Sequence, residues 1–175
     1  MKKILILIIV VLASALYFHD ELKQIISPPE VKIVKVDIKE LVGRDGLMYQ
    51  KFSEIPFTGK VTGEQKGAFK NGKRDGEWFW YYSTGQLMQK RNWKNEKKEG
   101  EWVLYYDDGQ LRQKGNYENG MSEGEWVYYY GNRKLQMKGN YKDGKQEGDW
   151  VGYSYNGTVW KEMTGTFKNG KKIGE

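Results

Sequence analysis

A chain of 175 residues with 38% apolar residues, 15% aromatics and 22 glycines has room for one modest domain whose buried area comes largely from flat rings. It has no cysteine and one histidine, His19, just past an N-terminal apolar run, which excludes disulfides, thiolate metal sites and any histidine-dependent triad or metal cluster further along the chain. The formal charge of +6 includes Lys2 and Lys3; without them 27 basic residues face 23 acidic ones with signs interspersed, unlike the one-sign stripe of a nucleic-acid binder.

Met1-Lys2-Lys3, the apolar run Ile4 to Leu12 and the small residues Ala13-Ser14-Ala15 follow the pattern of a secretory signal peptide. Apolar character continues to Phe18, so the competing reading is an uncleaved hydrophobic helix that anchors the chain. From Ile4 to Phe18 an α-helix would be about 22 Å long, against about 30 Å of hydrocarbon. Either version implies export, to the periplasm or another extracytoplasmic site, or N-terminal membrane anchorage. Residues 1–18 are therefore read as signal or anchor and residues 19–40 as a linker. Ser27-Pro28-Pro29 ends any helix there, and the β-branched run Val31 to Ile38 supplies a possible edge or capping strand.

Residues 41–175 read as tandem copies of one unit. Gly76-Glu77-Trp78-Phe79-Trp80-Tyr81-Tyr82 returns as Gly100-Glu101-Trp102-Val103-Leu104-Tyr105-Tyr106, as Gly124-Glu125-Trp126-Val127-Tyr128-Tyr129-Tyr130 and as Gly148-Asp149-Trp150-Val151-Gly152-Tyr153-Ser154. The tryptophans stand 102 − 78, 126 − 102 and 150 − 126 apart, each 24 residues, a period that marks a stacked repeat. A degenerate copy over 41–66, with a shortened hairpin tip, opens the array. Full copies cover 67–90, 91–114, 115–138 and 139–163, and a partial copy covers 164–175.

Each full copy reads as two strands, with the second over Leu87–Trp93, Leu111–Tyr117, Leu135–Tyr141 or Val159–Phe167. Asn71-Gly72, Asn119-Gly120, Asp143-Gly144 and Asn169-Gly170 are hairpin signals between units. Asn95-Glu96 breaks this pattern, which predicts a looser turn. Thr84-Gly85, Asp108-Gly109, Gly131-Asn132 and Asn156-Gly157 close the other ends, so the strands form a meander.

Period-two alternation puts Trp78, Trp80 and Tyr82 on one face and Phe79 and Tyr81 on the other. With a tip loop over Ser83–Gln86, Tyr82 faces Leu87, Trp78 faces Arg91, Trp102 faces Gly115 and Trp126 faces Gly139. An indole lying over a glycine covers exposed backbone. Two extra residues near Glu162-Met163, an even number, preserve the faces of the fourth copy. Glu77, Glu101, Glu125 and Asp149 are expected to pair with lysines across strands, because they recur with the unit and form no distinct catalytic pair.

The run Lys70-Asn71-Gly72-Lys73-Arg74-Asp75-Gly76-Glu77-Trp78, with Tyr81-Tyr82 and Gly85-Gln86-Leu87, resembles the variant MORN repeat. The wider organisation, including Arg44-Asp45-Gly46 and Pro56-Phe57-Thr58-Gly59-Lys60, is similar to bacterial proteins of the YwqK-type antitoxin family. The resemblance implies an all-β fold of tandem antiparallel hairpins in an elongated single-layer twisted sheet, used for protein or lipid contact. Glu96 for a turn glycine, Arg91 for a strand glycine and Gly131-Asn132-Arg133 at a hairpin tip depart from the pattern.

The leading expectation is a non-catalytic scaffold of the bacterial cell envelope that docks an unidentified protein partner, with an antitoxin- or immunity-like role as a special case. Its candidate interaction face is Trp78, Trp80, Tyr82, Trp102, Tyr106, Trp126, Tyr130 and Trp150. The bland alternative is that these tryptophans pack within the sheet. No catalytic, cofactor or metal residues, no cofactor and no nucleic-acid partner are expected. A second reading is a small-ligand or cell-wall module resembling choline-binding repeats, in which aromatics cage a quaternary ammonium. A third is weak lipid-surface binding, suggested by lysines such as Lys94, Lys97 and Lys98 around Trp93 and opposed by interspersed Glu.

Overall fold

In the computed structural model, residues 33–174 are described, so the signal-or-anchor segment and most of the linker lie outside the described residues. The described strands all belong to one unit over Val34–Glu175. This unit opens with β1 (Lys35–Asp37), within the stretch expected to supply an edge strand. A small hairpin follows, β2 (Leu41–Arg44) and β3 (Leu47–Gln50), closed by Asp45-Gly46 with both residues at positive φ.

The strands β4 (Gly59–Thr62), β5 (Gln65–Lys70), β6 (Lys73–Tyr81), β7 (Leu87–Lys94), β8 (Lys97–Tyr105), β9 (Leu111–Glu118), β10 (Met121–Tyr129), β11 (Leu135–Lys142), β12 (Lys145–Gly152), β13 (Gly165–Lys168) and β14 (Lys171–Gly174) then succeed one another as a meander. With β1 paired parallel to β4, they form a 12-stranded sheet in the order β1-β4-β5 and onward to β14. The expected hairpin repeat is thus present as one long sheet. The β2–β3 hairpin docks on its first units: the Met48 amide donates to the Gly72 carbonyl at 2.9 Å, and Phe57 donates back to Met48 at 2.8 Å.

Each unit-joining turn uses two left-handed residues, as at Asn119 (φ 53°) and Gly120 (φ 90°), the geometry that follows the twist of a two-residue hairpin. The turns are stacked. Gly120 donates to the Lys98 carbonyl, Gly144 to Ser122 and Gly170 to Gln146, each at 2.9 Å. Beside these bonds the carboxylates of Glu99, Glu123 and Glu147 accept from the amides of Asn119, Asp143 and Asn169, again at 2.9 Å. One glutamate per unit therefore satisfies a turn amide of the hairpin beside it.

Two departures from the repeat behave differently from expectation. Glu96 holds φ 64° and keeps the two-residue geometry; its amide donates to the Arg74 carbonyl at 3.1 Å, and its carboxylate takes the Arg74 amide and both Nε and Nη2 of Arg74. The turn is tied down, because the carboxylate's bonds to Arg74 offset the left-handed strain that a glycine would avoid. At the tip Gly131-Asn132-Arg133, Arg133 occupies the left-handed position of Gly85 and Gly109, and the Tyr130 amide still donates to the Lys134 carbonyl at 2.9 Å. The expected pairing of Tyr82 with Leu87 also fails. A bulge after Trp80 sets Tyr81 opposite Leu87, and Tyr82 becomes the first residue of the turn, its amide donating to Gln86.

The pairs Trp78 with Arg91, Trp102 with Gly115 and Trp126 with Gly139 are all present. The indoles, however, do not cover the glycines they pair with. Glu123 pairs with Asn116 and Val127 with Lys114, so Gly124, Glu125 and Trp126 bulge opposite the single residue Gly115 of the preceding strand. Gly124 takes φ 69° at this bulge, and the opened ladder lets the indole of Trp126 lean back over Gly115. Trp78 covers Gly67 and Trp150 covers Gly139 in the same way. Gly-Glu-Trp is therefore a mid-strand bulge. In the fourth copy the two additional residues are taken up by a 3-10 turn over Lys161–Met163, which interrupts the strand expected there, and Trp150 still meets Gly165 in register.

The core is this row of rings: Phe57, Phe69, Trp78, Trp93, Trp102, Trp126, Trp150 and Phe167 with Leu41 and Val61. Tyr117 and Tyr141 stand edge-on between successive indoles, with centroids 4.9 to 5.9 Å apart, the arrangement that ring quadrupoles favour.

Candidate protein-docking face

The sheet has one aromatic face and one charged face, because the bulge restores period-two alternation after each Gly-Glu. On the aromatic face Trp78 and Trp126 are 1% exposed, Trp150 2% and Trp102 6%. The Nε1 groups of Trp78, Trp126 and Trp150 donate to the carbonyls of Ala68, Asn116 and Asn140 at 3.1, 3.2 and 2.9 Å. Trp80 is half-buried beside Trp78, with centroids 5.7 Å apart. Tyr82, Tyr106 and Tyr130 latch one unit to the next: their hydroxyls donate to the carbonyls of Tyr105, Tyr129 and Tyr153 at 2.8, 2.8 and 2.9 Å. All eight residues expected to offer an interaction face are thus engaged in packing or latching, and four of them are buried. Trp78, Trp102, Trp126 and Trp150 lie in the core, while Trp80, Tyr82, Tyr106 and Tyr130 stay half-buried.

The chain's own cations also lie over these rings. The Arg91 guanidinium stands 3.9 Å from the Trp102 centroid and 5.0 Å from that of Trp80, Lys98 lies 4.7 Å from Trp102, and Arg74 4.0 Å from Trp93. Arg91 replaces the strand glycine, so its guanidinium covers the indole where backbone does in other units. Burial and then the charge of Arg74 hold its pKa below the ordinary arginine value. A choline-like cage needs aromatic faces open around a gap, and here those faces are closed by neighbouring rings and internal cations. Burial, followed by the hydroxyl of Tyr141, raises the Tyr128 pKa well above its usual value.

The opposite face repeats a different chemistry. Phe79, Val103, Val127 and Val151 form a rail across successive hairpins, paired in register with Lys66, Lys90, Lys114 and Lys138. Val103 is buried, and Tyr81, Tyr105 and Tyr129, half-buried, continue the rail toward the tips. Beside it runs a charge ladder. Lys90 bridges Glu77 at 2.6 Å and Glu101 at 3.5 Å, Lys114 bridges Glu101 at 2.9 Å, and Lys138 bridges Glu125 at 2.8 Å. Hydrogen bonding to Glu77 raises the pKa of Lys90, bonding from Lys114 lowers that of Glu101, and Glu101 and Glu125 raise those of Lys114 and Lys138. The cross-strand lysine pairing expected for Glu77, Glu101 and Glu125 is present. Asp149 accepts from the Thr166 hydroxyl at 2.7 Å instead.

This second face escaped sequence reasoning, which followed the tryptophans. Its signal was legible in the period, since lysine recurs at 66, 90, 114 and 138, the same 24-residue step. Among the described residues, no group of three or more acidic or histidine side chains is placed to hold a metal ion.

Tandem hairpins, one shared row of indoles and a repeated outer face define a repeat scaffold. The model of the MORN repeat variant matches residues 74–95, 98–119 and 122–143, three successive units of this array. A search of curated proteins finds no match to the chain.

Proposed function

We propose that the array is a non-catalytic scaffold that docks a protein partner on the face opposite its indoles. The observation that carries this reading is the half-buried rail Phe79, Val127 and Val151 with Tyr81, Tyr105 and Tyr129, flanked by the lysine–glutamate ladder. Tyrosine beside aliphatic area with a charged border is the composition that protein interfaces favour, and an identical unit repeated across strands offers a partner several equivalent anchor points. The Met1–Ala15 pattern supports an envelope location, cleaved or anchored. An immunity-like role is the special case in which the partner is a toxin.

Full-length protein carrying a photocrosslinker at position 105 or 129 tests the reading in the cells that make it. Specific crosslinks from those positions, and none from position 117 on the indole face, are expected. Crosslinks confined to position 117, or none from any position, would overturn it.

A further inference from the structure

The lysine row of the docking face changes character at its start. Lys90, Lys114 and Lys138 each bridge a glutamate of an adjoining strand, whereas Lys66, one period earlier, bridges none among the described residues. The opening copy is shortened, and its strand β4 (Gly-Lys-Val-Thr) brings no acid to this position. Glu77, the acid on the other side, is held by Lys90 at 2.6 Å. Lys66 leans instead over the ring of Tyr81, 4.5 Å from its centroid.

Two further lysines stand nearby. Lys35 of β1 and Lys60 of β4 are register partners in the parallel pair, both exposed, and neither forms an ion pair among the described residues. Like charges directly opposite each other destabilise a sheet, yet here they are placed at its first two strands. All three lysines line one open groove of about 570 Å³, whose lining also includes Ala68, Phe79 and Tyr81 and the acids Asp75 and Glu77. The outer edge of β1 is the edge of the sheet, where an added chain can lie alongside.

We propose that this groove binds an extended acidic protein segment, its carboxylates between Lys35, Lys60 and Lys66 and an apolar side chain on Phe79 and Tyr81. The inference rests on the docking reading above and names the chemistry of the partner at one end of the array. The apolar lining favours a peptide over a bare phosphate or sulfate, which would use the lysines and leave Phe79 and Tyr81 uncovered.

Full-length protein is titrated with a labelled peptide of alternating Asp and Glu around one Phe, with the same peptide bearing Lys for Asp and Glu, with inorganic phosphate, and with vesicles rich in anionic lipid. Binding of the acidic Phe peptide alone is expected, weakening with salt. It should fall at least tenfold in Lys60→Glu and Lys66→Gln and stay within twofold in Lys138→Gln. Lys35→Gln should raise the Tm while weakening the peptide, because it removes a like-charge pair. The inference is overturned if vesicles or phosphate bind and the peptide does not, if Lys138→Gln weakens the peptide as much as Lys66→Gln, or if no acidic peptide binds. If crosslinks from 105 and 129 persist in Lys60→Glu, the scaffold reading stands and this inference falls. If those crosslinks are absent in the unsubstituted protein, the scaffold reading itself has failed.

Discussion

Trp126 rests on Gly115, the glycine of the strand behind it, although its register partner is Gly139. A side chain at Gly115 would have to occupy the space of the indole, whereas Gly131 at a hairpin tip has nothing within 4 Å of where a Cβ would stand. Gly115→Ala should therefore lose about 1–3 kcal/mol of stability through overpacking, and Gly131→Ala less than about 0.5 kcal/mol. Urea unfolding followed by tryptophan fluorescence measures both. Equal midpoints for the two variants would contradict the seat.

The tyrosine latch gives a second contrast within one dipeptide. Tyr106 donates to the Tyr129 carbonyl at 2.8 Å, while Tyr105 lies on the opposite face, close to Lys114. Tyr106→Phe should cost about 0.5–1.5 kcal/mol, the usual net worth of such a bond. Tyr105→Phe should leave thermal unfolding nearly unchanged and act only on partner binding.

Glu96 sets two effects against each other. Its left-handed backbone costs about 1–2 kcal/mol, and its carboxylate returns a comparable amount by holding Arg74 side chain and amide together. Glu96→Gly is expected to be near neutral in the native chain and stabilising by about 1 kcal/mol once Arg74 is alanine. A double-mutant cycle by urea unfolding reads this coupling. An additive result would show that the ion pair does not compensate the backbone.

The charge ladder has a defined pH window. Glu101 has a lowered pKa in the folded chain, so its contribution is present above the ordinary glutamate value of about 4.3 and is lost as pH falls through the lower folded value. Lys90, Lys114 and Lys138 have raised values, so their part is present below about 10.4 and disappears as pH rises through the folded values. The Tm difference between the native chain and Glu101→Gln should be small and flat between these limits and vanish in acid. Because the groups are largely exposed, high salt should shrink it throughout. A difference that grows toward acid would rule the ladder out.

Much of this architecture is written in the chain as repetition. The 24-residue step of Trp78, Trp102, Trp126 and Trp150, the Asn-Gly turns and period-two alternation specify hairpins, the pairing of each tryptophan within its hairpin and which residues share a face, because each is a local rule repeated without conflict. Other features depend on strands that meet only in the sheet. Which glycine an indole covers depends on a bulge between Gly124 and Gly115, and a bulge is a relation between two strands that neither strand encodes alone. The glutamates Glu99, Glu123 and Glu147 repeat as visibly as the tryptophans, yet their partners lie 20 or 22 residues away across a neighbouring hairpin. Burial decided the faces as well: Trp78, Trp102, Trp126 and Trp150 fill the core, and the accessible chemistry falls to lysines, glutamates and half-buried tyrosines on the other face, since the largest apolar rings gain most by leaving water.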